Sequence, residues 1–353
     1  MKSRRSQLLV AIAALAIAPL VGPAASTQQA ARRPVEVEDV IAWKSLGAPV
    51  LSNDGQWFAY RLAPQEGDAE VVVRQARGGD KTMRFPVGEV PQATGGGRGG
   101  PATASSPVAF SDDAKWVAFS TYPTRAAAQR LKRQRRPIQS GVMVLNLATG
   151  EKKEYPKIRR FAFSGESSGW VALHRYGPDA PGGAPAAAPA GAGRGAAGAT
   201  GATPDRPRGT DLILRDLTKA VDLNVGNVSE FSFRKDGKLL ALAIDAQDRA
   251  GNGIQLRDMT TGTVSVLDSG NASFERISWS DKGDALAVLK GTEDRAYRDK
   301  FYAVVGVTGV GSAAPKTVVF DPAADPAVPE GMSVSPNRDP LWTDDLEALL
   351  FGL

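Results

Sequence analysis

Leu51-Ser52-Asn53-Asp54-Gly55-Gln56-Trp57-Phe58-Ala59-Tyr60 is the first copy of a pattern that recurs along the chain. An apolar residue is followed by a polar turn that ends in Asp-Gly and then by an apolar stretch, which is the pattern of a β-hairpin. Five further copies of varying fidelity begin at Phe110, Phe163, Phe233, Trp279 and Val334. The sixth copy, Val334-Ser335-Pro336-Asn337-Arg338, is expected to be incomplete, because the sequence stops at Leu353.

A second hairpin lies between successive copies. Its first strand is predicted at Glu70–Ala76, Gly141–Leu147, Asp211–Leu217 and Gly253–Met259, each followed by a polar turn and another short strand. Two hairpins make a four-stranded unit, and the units recur at spacings of roughly 46 to 70 residues. Such units are typical of β-propeller blades. The sequence therefore predicts an all-β fold, a β-propeller of four-stranded blades with about five to six blades present and incomplete; an all-β sandwich or solenoid is the alternative.

The predicted organisation has three parts. Residues 1–26 carry a basic start, an apolar run from Leu8 to Val21 and small residues at the exit, which is the pattern of a signal peptide. Residues 27–47 are a lead-in segment, and residues 48–353 form the propeller. The predicted blades cover approximately 48–90, 106–158, 159–226, 227–270, 271–322 and, in part, 331–353. Residues 178–208, which are almost entirely Ala, Gly and Pro, are predicted to be a disordered insert.

The leader indicates export, and we expect a periplasmic or secreted protein. Its apolar run is shorter than the ~20 residues that a membrane-spanning helix needs, so no transmembrane span is expected after its removal. Both the general secretory and the twin-arginine routes fit the Arg4-Arg5 start. Loss of Lys2, Arg4 and Arg5 lowers the formal net charge from +5 to +2. Part of the net positive charge therefore belongs to the leader, and the charge that remains does not indicate nucleic-acid binding.

Composition excludes several kinds of chemistry. The 353 residues contain no Cys and one His, His174, which excludes disulfides, Cys nucleophiles and sites built from several His ligands.

One segment, Gly165-Glu166-Ser167-Ser168-Gly169, matches the G-x-S-x-G motif of serine hydrolases. A strand rather than a helix is predicted after it, and no His follows later in the chain than His174. The motif is therefore read as a blade turn, and we predict no catalytic, cofactor-binding or metal-binding residues.

Five other features are given structural roles. The segment Gly95–Gly100 matches a G-x-G-x-x-G pattern but is predicted to be a flexible loop, because neither a strand nor a helix flanks it. His174 is predicted to be a hydrogen-bonded strand residue, and Asp344-Asp345 to lie at a blade turn or strand end. A basic run is predicted to be a solvated loop, in part helical, or an arm that docks on an acidic partner; it comprises Arg125, Arg130, Lys132, Arg133, Arg135 and Arg136. Four repeating tryptophans are predicted to pack between blades: Trp57, Trp116, Trp170 and Trp279.

With these repeats, the chain resembles the N-terminal propeller of exported bacterial serine peptidases of the prolyl oligopeptidase family. The resemblance rests on the leader, the Ser-x-Asp-Gly-x-Trp hairpins, the segment Leu145–Glu151 and the stretch Ser335–Asp345. In that family a propeller caps an α/β-hydrolase domain and limits access to its Ser-Asp-His site. The resemblance implies a non-catalytic module that gates peptide access to a hydrolase domain, without activity in this chain alone. Its expected partners are peptides or that hydrolase domain, and we expect the chain to be truncated before it.

The alternative is a binding module. The same repeats are similar to TolB, a periplasmic propeller that holds protein partners. A chain of that kind carries an α/β domain before its blades, whereas the repeats here begin about twenty residues after the leader. A small-substrate propeller enzyme would need a cluster of carboxylates or His ligands at the blade turns. The residues favour the peptidase-type module, with a protein- or ligand-binding propeller second.

Overall fold

The computed structural model describes residues 34–91, 107–177, 209–294, 297, 300–312, 314–329 and 331–353. The predicted signal peptide, residues 27–33 of the lead-in segment, the Gly95–Gly100 segment and the whole of the predicted insert 178–208 lie outside these residues.

The described chain folds into antiparallel sheets that follow one another in sequence order. Helix α1 (Val37–Ala42) precedes the first blade. The strands of blade 1 are β1 (Lys44–Leu51), β2 (Trp57–Pro64), β3 (Ala69–Gln75) and β4 (Thr82–Gly88). The strands of blade 2 are β5 (Val108–Phe110), β6 (Trp116–Thr121), β7 (Gly141–Asn146) and β8 (Lys152–Tyr155), with helix α2 (Arg125–Arg133) between β6 and β7.

One long strand joins the next two blades. Blade 3 contains β9 (Ile158–Phe163), β10 (Trp170–Arg175), β11 (Thr210–Asp216) and the first half of β12 (Val221–Phe233). The second half of β12 pairs with β13 (Leu239–Ile244), which is followed in blade 4 by β14 (Gly253–Asp258) and β15 (Val264–Ser269). The two blades therefore form one continuous seven-stranded sheet.

The fifth blade is a separate sheet, and a short hairpin follows it. Blade 5 contains β16 (Ser273–Trp279), β17 (Ala285–Thr292), β18 (Phe301–Thr308) and β19 (Lys316–Phe320). The hairpin pairs β20 (Leu341–Trp342) with β21 (Leu349–Leu350). Short 3₁₀ turns lie at Gly165–Ser167 and Pro322–Ala324.

Hydrogen bonds explain why the repeated pattern makes a tight turn between the first two strands of a blade. The Ser52 hydroxyl donates to Asp54 Oδ1 at 2.5 Å and accepts the Trp57 N–H at 2.9 Å. The bond from Ser52 is the largest cause that lowers the pKa of Asp54. Gly55 lies at φ +69°, where a side chain is unfavourable. The same hydroxyl-to-carboxylate bond recurs in three further turns, in the pairs Ser111–Asp113, Ser280–Asp284 and Thr343–Asp345.

The sixth turn is displaced from its predicted position. The sequence reading began the sixth copy at Val334, but the turn forms at Thr343, whose hydroxyl donates to Asp345 at 2.6 Å and accepts the Ala348 N–H at 3.1 Å. Leu346 takes the left-handed conformation at φ +59°, in the place that Gly55 has in blade 1. The Ser335 N–H instead donates to Gly352 O, which places Ser335 beside the strand that follows this turn. Asp345 is thus a turn residue, as predicted.

Apolar cores lie between successive blades. Residues of neighbouring sheets form shared clusters, and the four repeating tryptophans pack against them: Trp57 between blades 1 and 2, Trp116 between blades 2 and 3, Trp170 between blades 3 and 4, and Trp279 between blades 4 and 5. The predicted inter-blade role of these tryptophans is confirmed. Val334 and Phe351 pack with blade 5 in a further cluster.

The blades are arranged radially. The first strands of neighbouring blades contact each other, as β1 contacts β5 and β12 contacts β16, whereas the last strands β15 and β19 are mostly exposed. First strands are therefore innermost and last strands outermost, which is the arrangement of a β-propeller. No helix in the described part of the chain is long and apolar enough to cross a membrane.

Candidate functional site

The innermost strands of blades 1, 3, 4 and 5 each contain a β-bulge ahead of the blade turn. In blade 1 the register with β2 slips between Gly47 and Val50, and in blade 5 the register with β17 slips between Glu275 and Ser278. Slips also occur at Arg159 in blade 3 and at Ser229 in blade 4. Asp339 occupies a similar place ahead of the sixth turn. Bulges commonly re-aim side chains next to functional sites, so these positions define a candidate site at the propeller end opposite the turns.

The bulge in blade 3 brings two arginines together. Arg160 pairs with His174 and Ile158 pairs with Arg175, so Arg159 is the extra residue of the inner strand. Arg159 Nη2 lies 3.3 Å from both ring nitrogens of His174 and 3.3 Å from Ser229 O. The Arg160 guanidinium stacks over the Phe231 ring at 4.7 Å. Both guanidiniums therefore lie on the side of the sheet that faces blade 4.

His174 is a neutral, buried member of this group. Its side chain is 1% exposed and packs edge-on against Phe231, with 5.7 Å between the ring centres. Nε2 donates to Val228 O at 2.8 Å, which leaves Nδ1 as the acceptor for the Arg159 N–H. Burial, and then the charge of Arg159, lower the pKa of His174 to about 3. The predicted role as a hydrogen-bonded strand residue is confirmed.

Glu230 joins blades 4 and 5. Its carboxylate accepts the backbone N–H groups of Arg276 at 2.7 Å and Ile277 at 3.1 Å, where Arg276 lies at φ +65° in the bulge. Burial raises the pKa of Glu230, although these two hydrogen bonds and the charge of Arg160 act in the opposite direction. Arg276 Nη1 in turn lies 3.4 Å from Asp339 Oδ1. The two carboxylates of the site are therefore already engaged.

The same end of blades 1 to 3 carries an arginine and two tyrosines. Arg61 lies on β2, close enough to Tyr122 for its charge to oppose the rise in the pKa of that phenol, which burial causes. Tyr176 follows β10, and its hydroxyl lies 3.0 Å from Ser140 Oγ. We call the whole set the axial charge belt: Arg61, Tyr122, Arg159, Arg160, His174, Tyr176, Glu230, Arg276 and Asp339.

The axial charge belt has more positive than negative charge. Arg61, Arg159 and Arg160 have no carboxylate partner within the part of the chain that the structure describes. The Nε atoms of Arg61 and Arg160 are buried and also lack a hydrogen-bond acceptor among the described atoms. Because an unsatisfied buried donor costs about 1–3 kcal/mol, an anion that accepts from these groups would be stabilised here. Sequence reasoning missed this site, although Arg159-Arg160 interrupts an apolar strand pattern.

The G-x-S-x-G motif has a structural role at the opposite end. Gly165–Ser167 is a 3₁₀ turn that leads into strand β10 and not into a helix. A side chain at Gly165 would collide with Lys235 O of the neighbouring turn. The Ser167 hydroxyl lies 3.4 Å from Ser164 Oγ, and the Ser168 hydroxyl accepts the Asp113 N–H at 3.0 Å. The motif therefore connects adjacent blade turns, and the hydrogen bonds of Ser167 and His174 go to different groups.

The basic run forms helix α2 at the same end as the axial charge belt. The Thr124 hydroxyl accepts the Ala127 N–H at 3.4 Å and caps the helix. Arg125 pairs with Glu66 of blade 1 at 2.7 Å, so this member of the run has an acidic partner within the chain. The other cations of the run are exposed: Arg130, Lys132, Arg133, Arg135 and Arg136.

Among the described residues, no three acidic or His side chains gather as metal ligands would.

Neither a family model nor a curated protein matches this sequence. Solved structures do match over most of the chain. Hydrazine synthase of Kuenenia stuttgartiensis has 12% identity and a TM-score of 0.41, with 90% of this chain and 77% of that chain covered. A prolyl endopeptidase has 18% identity and a TM-score of 0.40, with coverages of 79% and 37%. TolB from Acinetobacter baumannii has 13% identity and a TM-score of 0.29, with coverages of 78% and 56%.

This chain thus spans about a third of the length of the matched endopeptidase and just over half of that of TolB. The fold assignment rests on the sheets and the inner-strand contacts described above, which are those of four-stranded blades around an axis. The chain is a β-propeller module.

Proposed function

We propose that this propeller is a non-catalytic module that admits extended peptides along its axis to a serine-peptidase hydrolase domain, and that it acts outside the cytoplasm. The observation that carries the proposal is the axial charge belt, because it places Arg159 and Arg160, which have no carboxylate partner among the described residues, on the innermost strand of blade 3. Peptides expose carboxylates and backbone carbonyls that such donors bind, whereas a folded protein presents few of these groups in an extended form. The N-terminal leader supports the proposed location.

Binding and turnover together test the proposal. The purified chain should bind fluorescently labelled peptides of about ten residues and should not bind a folded protein that contains the same segment in a helix. Proline-containing chromogenic peptides should show no turnover by the chain alone. Turnover that Ser167→Ala abolishes would contradict the non-catalytic role, and equal binding of the folded protein would contradict selective admission.

A second candidate function is a module that binds an acidic protein partner. The specific observation in its favour is helix α2, with its exposed Arg130, Lys132 and Arg133. Charge complementarity at an exposed patch increases association rates and makes them sensitive to salt. If an acidic protein bound the chain, and Arg130→Glu together with Arg133→Glu abolished that binding while peptide binding stayed absent, this second function would be favoured.

A further inference from the structure

We propose that Arg159 and Arg160 form a carboxylate-binding site in the axial charge belt, which takes the carboxylate of an incoming peptide. This inference rests on the proposed admission of peptides and names the group by which a peptide is held. The carboxylate can come from the C-terminus or from an acidic side chain.

The first argument is geometric. Because Arg159 is the extra residue of a bulge, it and Arg160 share one side of the sheet instead of alternating. Each guanidinium is held in place by a neighbour: Arg160 by the Phe231 ring at 4.7 Å, and Arg159 by His174 and by Ser229 O at 3.3 Å. A pair of fixed guanidiniums suits a carboxylate, whose two oxygens accept parallel N–H donors.

The second argument is that the described chain supplies no carboxylate for either arginine and no acceptor for Arg160 Nε. Arg160 Nε is buried and has no hydrogen-bond partner among the described atoms. Glu230, the nearest carboxylate in the belt, is occupied by the N–H groups of Arg276 and Ile277. Asp339 lies 3.4 Å from Arg276. Within the described chain no carboxylate pairs with Arg159 or Arg160, and Arg160 Nε is a donor without an acceptor.

The third argument selects a carboxylate over a phosphate. Glu230 lies close enough to Arg160 for their charges to interact, so an anion bound at Arg160 also meets the repulsion of this carboxylate. Two guanidiniums and one carboxylate leave one net positive charge, which a monoanion neutralises and a dianion would reverse. His174, which is uncharged above its pKa of about 3, adds no positive charge that would favour a dianion.

The test compares one labelled peptide in three forms by fluorescence anisotropy: free acid, C-terminal amide, and amide with an internal Glu. The acid should bind at least tenfold more tightly than the plain amide, and Arg160→Gln and Arg159→Gln should each remove most of this difference. Arg160→Lys should recover it only in part, because Lys keeps the charge but not the planar donor pair. Arg74→Gln, an exposed arginine on β3, is the matched control and should change nothing.

The outcomes separate the two proposals. If the Glu-containing amide binds tightly, the site accepts the carboxylate of a side chain. If this amide binds weakly while the free acid binds tightly, the site accepts the C-terminal carboxylate. Both results support the site. Equal affinity for acid and plain amide would overturn the carboxylate site and leave peptide admission standing. Binding of neither would overturn peptide admission and this site together. Competition by inorganic phosphate at a lower concentration than acetate would also overturn the assignment to carboxylates.

Discussion

At the scale of single residues, the hydrogen bonds of two buried polar side chains, Ser111 and His174, have different roles. Ser111 is 1% exposed, and its hydroxyl both donates to Asp113 at 2.6 Å and accepts the Trp116 N–H at 3.0 Å. His174 is equally buried, but it donates to one carbonyl and orients an arginine. Ser111 therefore stabilises a turn, whereas His174 holds Arg159 in place within the belt.

Ser111→Ala should lower the free energy of unfolding by about 1–3 kcal/mol, because the variant leaves the Trp116 N–H without its acceptor in a buried place. Urea denaturation measures this change. Thr260→Ala, in an exposed turn of blade 4, is the control and should stay within about 0.5 kcal/mol of the parent. Equal losses in both variants would show that the Ser111 hydroxyl has no special role.

Acid should destabilise the protein through His174. Its pKa is about 3 in the folded chain and about 6.5 when unfolded, so between these values only the unfolded chain takes up the proton. The free energy of unfolding should therefore fall by about 1.4 kcal/mol per pH unit on going from pH 6 to pH 4 as the contribution of this group. His174→Gln should show a slope that is smaller by that amount in urea titrations.

The comparison with His174→Gln is needed because Glu230 acts in the opposite direction. Burial raises the pKa of Glu230, so its contribution to stability is present at low pH and is lost as pH rises. The Glu230 contribution is common to the parent and the variant and cancels in their difference. Parallel curves for the two proteins would contradict the assigned state of His174.

At the scale of elements, the blade turns depend on glycine to different degrees. Gly55 and Gly237 occupy equivalent positions, with φ +69° and φ +71°. A Cβ at Gly55 would meet no atom within 4 Å, whereas one at Gly237 would collide with Ser164 O and Ser167 Oγ of the neighbouring turn. Gly55 is needed only for its backbone conformation, whereas Gly237 is also needed for the close contact between blades.

Gly55→Ala should therefore cost about 1–2 kcal/mol, the strain of a left-handed residue. Gly237→Ala should cost at least twice as much, because it adds a clash with a backbone carbonyl to the same strain. Differential scanning calorimetry of both variants checks the ranking. A loss at Gly237 no larger than the loss at Gly55 would mean that the turns of blades 3 and 4 separate readily.

The hairpin turns were predictable from the sequence because Ser and Asp form hydrogen bonds within the turn and Gly takes its left-handed conformation. The sixth turn was misplaced because Thr343 replaces Ser and Leu346 replaces Gly, so the residues at Ser335-Pro336-Asn337 gave the stronger match to the pattern. The bulges were not predictable, since a register slip of one residue depends on the partner strand and not on local composition. The axial charge belt depends on those slips and was therefore missed.

At the scale of the whole molecule, the charge of the belt should appear in the salt dependence of peptide binding. Exposed charge interactions are screened over about 10 Å at 0.1 M salt and about 3 Å at 1 M. Raising NaCl from about 0.1 M to 1 M should weaken binding of the free-acid peptide severalfold and should change binding of its amide much less. Anisotropy titrations at both concentrations test this, and equal effects on both peptides would indicate that the carboxylate is bound outside the belt.

The strand shared by blades 3 and 4 also limits how this molecule can deform. Since β12 runs without interruption from one sheet into the next, backbone hydrogen bonds of one strand join blades 3 and 4. We therefore expect relative movement of the blades to be easier at an interface that lacks a common strand. The seam between blades 4 and 5 is bridged by the Glu230 carboxylate instead of a common strand. We therefore expect a ligand that needs more room to separate blades 4 and 5 before blades 3 and 4, at the cost of both hydrogen bonds of Glu230.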